Sequence, residues 1–194
     1  CGRVCNHRCE EACSRTEAGS EPVNIMHFKR FVSDWAFSHP EEIQKIYASG
    51  VQKTPDTSGA GKKVAIVGAG PAGLTAANDL IRKAYSVTVF EALSAPGGMM
   101  RVGIPEYRLP YDLLQREVDE IISRGVELKL NHRVEDVTGL LKDFDAVFVA
   151  AGAHIGIKLP IPGNDLPEVH ITTDFLREVS LTGMSAIQSK IKNK

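Results

Sequence analysis

The sequence predicts an α/β protein, with a parallel sheet and crossover helices over residues 63–175 and a small all-helical, cysteine-bearing region ahead of them. Three observations carry this. Short apolar, β-branched runs alternate with amphipathic stretches at the spacing of strand–helix–strand units, which pair in parallel through right-handed crossovers. A glycine-rich turn separates the first such run from the stretch that follows it. All four cysteines fall within the first thirteen residues, ahead of any strand pattern.

Residues 1–50 read as helical. Ile25, Phe28, Phe31, Val32 and Trp35 share one face of a helix, read as core packing, with Lys29, Arg30, Ser33 and Asp34 opposite. His39-Pro40 ends that helix, because the residue before a proline disfavours the α region. A second short helix is expected from Pro40 to Tyr47. Residues 51–62 are polar and rich in Gly, Ser, Thr and Pro, the composition of a linker. Val64-Ala65-Ile66-Val67 has the pattern of a strand buried on both faces. A helix is expected from Pro71 to Ala84, since proline is tolerated in a first helical turn. Ser86 to Glu91 is a second strand, and a Gly/Pro-rich stretch runs from Ala95 to Pro110. Tyr111 to Arg124 is an amphipathic helix with Leu113, Leu114, Val118, Ile121 and Ile122 inward. Val126 to Leu130 and Ala146 to Ala150 are further strands. Residues 176–194 read as a tail, with Lys190, Lys192 and Lys194 at a solvated or frayed end.

The composition is that of a folded protein: 43% of the 194 residues are hydrophobic and 24% charged. A formal charge of −1 gives no support to a nucleic-acid or membrane-surface role. No apolar run is long enough for a membrane span, and no secretory leader is visible, so the expected location is the cytoplasm.

Gly68-Ala69-Gly70-Pro71-Ala72-Gly73 matches G-x-G-x-x-G, and its context is the one the motif's mechanism requires. Gly68 permits the tight turn, Gly70 the close approach of a pyrophosphate, and Gly73 the packing of helix on strand. The helix N-terminus beginning at Pro71-Ala72 offers unpaired N–H groups to phosphate. Glu91 closes the next strand, where a carboxylate accepts hydrogen bonds from ribose hydroxyls and repels a 2′-phosphate. FAD and NAD both use such a site. Downstream, Gly97-Gly98 would let the backbone approach a long, bent cofactor, and Arg101 could pair with its pyrophosphate.

Cys1, Cys5, Cys9 and Cys13 are spaced by four, so a continuous helix would align all four sulfurs on one face. Such a row cannot wrap one tetrahedral site, so the segment must bend if a single metal takes all of them. Clustered thiols in a chain with ample core-forming residues point to metal or redox chemistry rather than a disulfide framework. Zinc, an iron–sulfur cluster and ordinary thiols stay open on spacing alone, although zinc sites more often use C-x₂-C pairs. His7 is read as a helix-surface histidine.

The segments CGRVCNHRCEEAC, EPVNIMHFKRFVSDW, VAIVGAGPAGLTAA, PGGMMRVGIPEYRLP and DAVFVAAGA, in that order, resemble the family of the glutamate synthase small (β) subunit, the flavin half of dihydropyrimidine dehydrogenase and related ferredoxin–NADP oxidoreductase subunits. The resemblance covers residues 1–175. It implies a partial, Rossmann-type FAD-binding domain over residues 63–175 preceded by a helical iron–sulfur region. It implies FAD at Gly68, Gly70, Pro71, Ala72, Gly73 and Glu91, with Gly98 and Arg101 lining flavin and pyrophosphate, the Val134 backbone at the adenine, and Ala151-Gly152 closing over the cofactor. It also implies 4Fe-4S clusters on Cys1, Cys5, Cys9 and Cys13, with thiolates divided between two clusters. Lys29 stands where a relative uses a side-chain amide to complete one of them.

The activity implied is electron transfer between NADPH, FAD and 4Fe-4S clusters, and onward to a larger catalytic subunit or another electron acceptor. Glutamate synthase is the expected setting. No second G-x-G-x-x-G occurs in the chain. The NADPH-binding domain and the returning piece of the FAD domain are therefore expected elsewhere, and the chain is expected to be a fragment, inactive in isolation. No side chain stands out as a catalytic acid, base or nucleophile, because the cofactor carries the chemistry. The rivals are a plain NAD-binding module with structural cysteines and a zinc-stapled, non-catalytic interaction fragment.

Overall fold

The computed structural model describes residues 2–49 and 56–191. Two compact units make up the chain, Cys1–Thr54 and Pro55–Lys194.

All regular structure among the first unit's described residues is helical, joined by turns and short irregular stretches. Two single-turn helices, α1 (Arg8–Glu11) and α2 (Ser14–Glu17), are broken at Ala12-Cys13, so the cysteine stretch bends. The longer α3 (Ile25–Ser38) ends at His39, and α4 (Pro40–Ser49) starts on the proline. Glu10 reaches from α1 to accept the Met26 N–H at 2.7 Å, satisfying a donor in the first turn of α3. Arg3 pairs with Asp34 at 2.7 Å, and Gly2 lies so close to Arg30 that a β-carbon there would meet the Arg30 backbone. These contacts fasten the cysteine segment along α3.

One expectation is overturned in this unit. Phe28, Phe31 and Val32 are 60%, 65% and 60% exposed, so this face of α3 is not core. Trp35 is half-buried and stacks on His39, with ring centroids 4.5 Å apart. Periodicity identifies an apolar helix face, but only a neighbouring element can bury it.

The second unit is built on a four-stranded parallel sheet of order β3-β2-β1-β4: β1 (Lys63–Val67), β2 (Ser86–Phe90), β3 (Glu127–Lys129) and β4 (Ala146–Val149). Lys63 aligns with Ser86 and Val67 with Phe90, while Val64 aligns with Ala146. Helix α5 (Pro71–Ile81) makes the first crossover and α7 (Tyr111–Ser123) a later one. Between them lies a single turn, α6 (Met99–Val102). The core gathers Val64, Ile66, Val87 and Val89 from the sheet with Ala77 of α5 and Val126 ahead of β3. Leu114 and Val118 face inward on α7 as their spacing predicts, and Leu113, Ile121 and Ile122 are half-buried.

At the other edge β4 is covered poorly, with Phe148 and Val149 exposed. Residues 153–171 then run without regular structure to α8 (Thr172–Thr182) and α9 (Met184–Ile191). The stretch read as a tail is thus largely helical; α8 packs on α6, and Ile187 of α9 is buried. Lys192 and Lys194 lie outside the described residues, as do residues 51–55 of the expected linker. Among the described residues no helix is long and apolar enough to cross a membrane.

Candidate functional site

The carboxyl ends of β1, β2 and β4 meet at one rim of the sheet, the place where open parallel sheets bind ligands. Gly68 leaves β1 with φ +108°, and a β-carbon there would run into the Ala150 carbonyl beyond β4. At Gly73, in the first turn of α5, a β-carbon would strike the Gly68 carbonyl oxygen. Glycine is therefore required at both positions by backbone packing. Gly70 precedes α5 and, among the described residues, no side chain caps the helix, which leaves its first-turn N–H groups without an intrahelical partner beside the exposed Pro71 and Ala72.

Glu91 is 5% exposed and follows β2 directly. Its Oε2 accepts the Ala69 N–H at 2.8 Å and its Oε1 accepts the Leu93 N–H at 2.8 Å. A carboxylate has about four acceptor sites, so two bonds leave capacity for ribose hydroxyls. Glu91 also latches the glycine loop to β2, a second task that the motif spacing did not reveal.

Ala69, absent from the sequence-derived set, is the hinge of this latch. Its N–H goes to Glu91 and its carbonyl accepts the Gly97 N–H at 2.8 Å. It is fully buried, and smallness at the x of G-x-G was the only available signal.

The second glycine pair packs onto the first loop. A β-carbon on Gly98 would lie 2.8 Å from the Gly70 Cα, and Gly97 and Gly98 have φ of +114° and +54°. Arg101 follows on α6, with its guanidinium carbon 4.1 Å from the centroid of the Tyr111 ring. Its Nε is buried with no hydrogen-bond partner among the described residues, and its carbonyl accepts the Ser180 hydroxyl at 2.8 Å. Neither Tyr111 nor Ser180 belongs to a motif.

Of the remaining expected residues, Ala151 and Gly152 (φ +69°) are exposed on the loop after β4, and the Ala151 Cα lies against Gly68. Beyond β3, the Asn131 N–H donates to the Leu93 carbonyl and the His132 N–H to that of Glu91. This carries the chain past Glu91 and leaves Val134, half-buried, two residues further on. The glycines, Glu91, Ala151 and Gly152 are thus gathered around one rim, and they fit a dinucleotide by chemistry: backbone amides and an arginine for phosphates, a buried carboxylate for ribose.

The cysteines form a different picture. Cys1 lies outside the described residues. Cys5 Sγ accepts the His7 N–H at 3.4 Å, and Cys13 is held below the usual thiol range first by the Val23 N–H and then by that of Arg15. Amides donated to sulfur suit a thiolate ligand. Cys9 is exposed on α1. Among the described residues no three His, Cys, Asp or Glu side chains gather into a metal-binding group. Donor chemistry therefore fits an iron–sulfur cluster, while one compact site is not formed by the described thiols. His7 sits at φ +43° ahead of α1, with its ring 3.7 Å from Glu10.

Comparison with known proteins follows the same division. Residues 1–41 match the family profile described as dihydropyrimidine dehydrogenase domain II, 4Fe-4S cluster, and residues 66–111 match an NAD(P)-binding Rossmann-like domain. The β subunit of the NADP(+)-dependent formate dehydrogenase of Moorella thermoacetica is 41% identical over 98% of this chain and 29% of its own length. In both of its regions the chain is thus similar to NAD(P)-linked and 4Fe-4S oxidoreductases. Other relatives include the β subunit of the NADPH-Fe(3+) oxidoreductase of Geobacter sulfurreducens, 43% identical over 95% of the chain and 28% of the relative. The small chain of the NADPH glutamate synthase of Mycobacterium tuberculosis is 39% identical over 90% of the chain and 34% of the relative. The chain thus spans about a third or less of these relatives. Among solved structures, the FprA–NADPH complex of M. tuberculosis superposes with a TM-score of 0.55 at 28% identity, over 60% of this chain and 28% of that one.

Proposed function

We propose that this chain is the FAD- and iron–sulfur-binding portion of an NADPH-linked oxidoreductase subunit that passes electrons to a larger partner. The observation that carries the reading is the packing of one glycine turn on another, Gly98 against Gly70, with Glu91 latched beneath them. One glycine loop serves any dinucleotide; a second against it clears backbone along a longer cofactor. Bound FAD would supply the step between two-electron hydride chemistry and single electrons. The protein's own work is positional. Gly68, Gly70, Gly73 and the start of α5 receive the pyrophosphate, Arg101 balances its charge, Glu91 takes the ribose, Val134 borders the adenine, and Ala151-Gly152 cover the cofactor.

In the same reading Cys5, Cys9 and Cys13, together with Cys1, supply thiolates to 4Fe-4S chemistry, supported by amides already aimed at two of the sulfurs. The setting is the cytoplasm, where thiols stay reduced. The NADPH-binding domain belongs to further polypeptide. The relatives' greater length supports this, as do the exposed apolar residues from Phe148 to Ile161, among them Ile155 and Ile157 at 92% and 89% exposure. Glutamate synthase is one of three comparably similar settings named by the relatives, beside formate and Fe(3+) chemistry.

The Rossmann-like match at residues 66–111 favours one second reading, an NAD module. Anaerobic purification separates the two. FAD with equimolar iron and sulfide supports the proposal. Colourless protein retaining NAD overturns the flavin assignment, and stoichiometric zinc without iron overturns the cluster.

A further inference from the structure

Most arginines whose partners are visible in this chain are neutralised: Arg3 by Asp34, Arg124 by Glu120 and Arg177 by Asp174. Arg101 is different. Among the described residues no carboxylate pairs with it, although it is half-buried and its Nε is fully enclosed. An uncompensated guanidinium in such a place is costly unless something else steadies it. What steadies it is the face of Tyr111, 4.1 Å away, while Ser180 of α8 fixes the Arg101 backbone through its carbonyl. A π face attracts the cation without consuming any of its N–H donors, whereas a carboxylate would have occupied two of them and cancelled the charge.

We infer that Tyr111 is a positioning residue for the cofactor's phosphates: its ring holds the Arg101 guanidinium oriented and unneutralised beside the glycine turns. The inference rests on the proposed dinucleotide reading and names a residue that reading does not contain. Tyr111 is the first residue of α7, directly after Pro110 at the helix N-cap. Arg101 stands one helical turn from Gly98, which touches Gly70 of the phosphate loop. The cation is thereby tied to the loop by backbone on one side and by an aromatic ring on the other.

The test is competition of ADP and of adenosine against FAD, by flavin fluorescence, on the full 194-residue chain. Tyr111→Phe keeps the π face and is expected to bind ADP as the wild type does. Tyr111→Leu, and Tyr111→Met as a second variant should leucine fail to fold, are expected to weaken ADP roughly 3- to 10-fold and leave adenosine unchanged. Their log Kd should also depend less steeply on log salt, because one phosphate-facing cation is misplaced. In an Arg101→Gln background the Tyr111→Leu change should add nothing, since the ring acts through the guanidinium. Equal losses for ADP and adenosine would show a merely structural role and overturn the inference, as would full ADP affinity in Tyr111→Leu. A wild-type chain that binds neither FAD nor ADP removes the dinucleotide reading and this inference together, and is recognised because it precedes any variant.

Discussion

Replacing Glu91 with glutamine should destabilise the chain before any cofactor is added. In the structure both carboxylate oxygens of this buried residue are occupied by backbone amides, one from Ala69 in the glycine loop and one from Leu93. Glutamine keeps one oxygen and replaces the other with an NH₂, so a donor faces a donor at one of the two positions. The loss is one charge-assisted hydrogen bond, about 1.5–3 kcal/mol, with a buried amide left unsatisfied as part of it. For a unit of this size that corresponds to a fall in Tm of about 5–12 °C. Thermal unfolding of cofactor-free protein, followed by circular dichroism at neutral pH, measures it. If Glu91 serves only a bound ribose, the cofactor-free variant will melt with the wild type, and that result would refute the latch.

Three further outcomes follow from the same geometry. Gly73→Ala drives a β-carbon into the Gly68 carbonyl, which is backbone and cannot yield cheaply; about 1–3 kcal/mol of stability and most dinucleotide affinity should be lost, read by urea unfolding and FAD titration. Thr88→Val removes the hydroxyl that, ahead of Lys129, holds the Glu127 carboxyl below its usual range, so an NMR titration should find the Glu127 pKa raised toward the ordinary value. Because that pKa is depressed in the folded state, the hydroxyl's contribution is present above the unfolded pKa and fades as pH falls through the folded one; Thr88→Val should lose stability at neutral pH and little in strong acid. Cys13→Ser should lower iron and sulfide after anaerobic reconstitution while leaving FAD content unchanged, measured by metal analysis on the same sample.

Much of the sheet was legible because each strand carries its own signal. The runs at Val64–Val67 and Ser86–Phe90 are apolar and β-branched, and the glycine loop marks where β1 must turn. Glu91, Gly98 and Ala151 come together because parallel strands end at one rim, so motif order implies proximity. What stayed hidden depends on contacts between distant residues. Ser180 meets Arg101 across 79 positions, and nothing in the composition of either announces it. Tyr111 looked like the start of an amphipathic helix, which it also is. Residues 176–191 lacked a motif, yet α8 and α9 hold structure through packing on α6 and a buried Ile187. The exposed Phe28 and Phe31 show the opposite limit: periodicity gives the helix face, and among the described residues no neighbouring element buries it.

The most direct test of the central claim is the identity of the dinucleotide, read by titrating the cofactor-free chain with FAD and with NAD under identical conditions. Saturable, equimolar FAD binding that NAD does not displace, and that Gly73→Ala largely removes, is expected. Tight NAD binding with no uptake of FAD would contradict it.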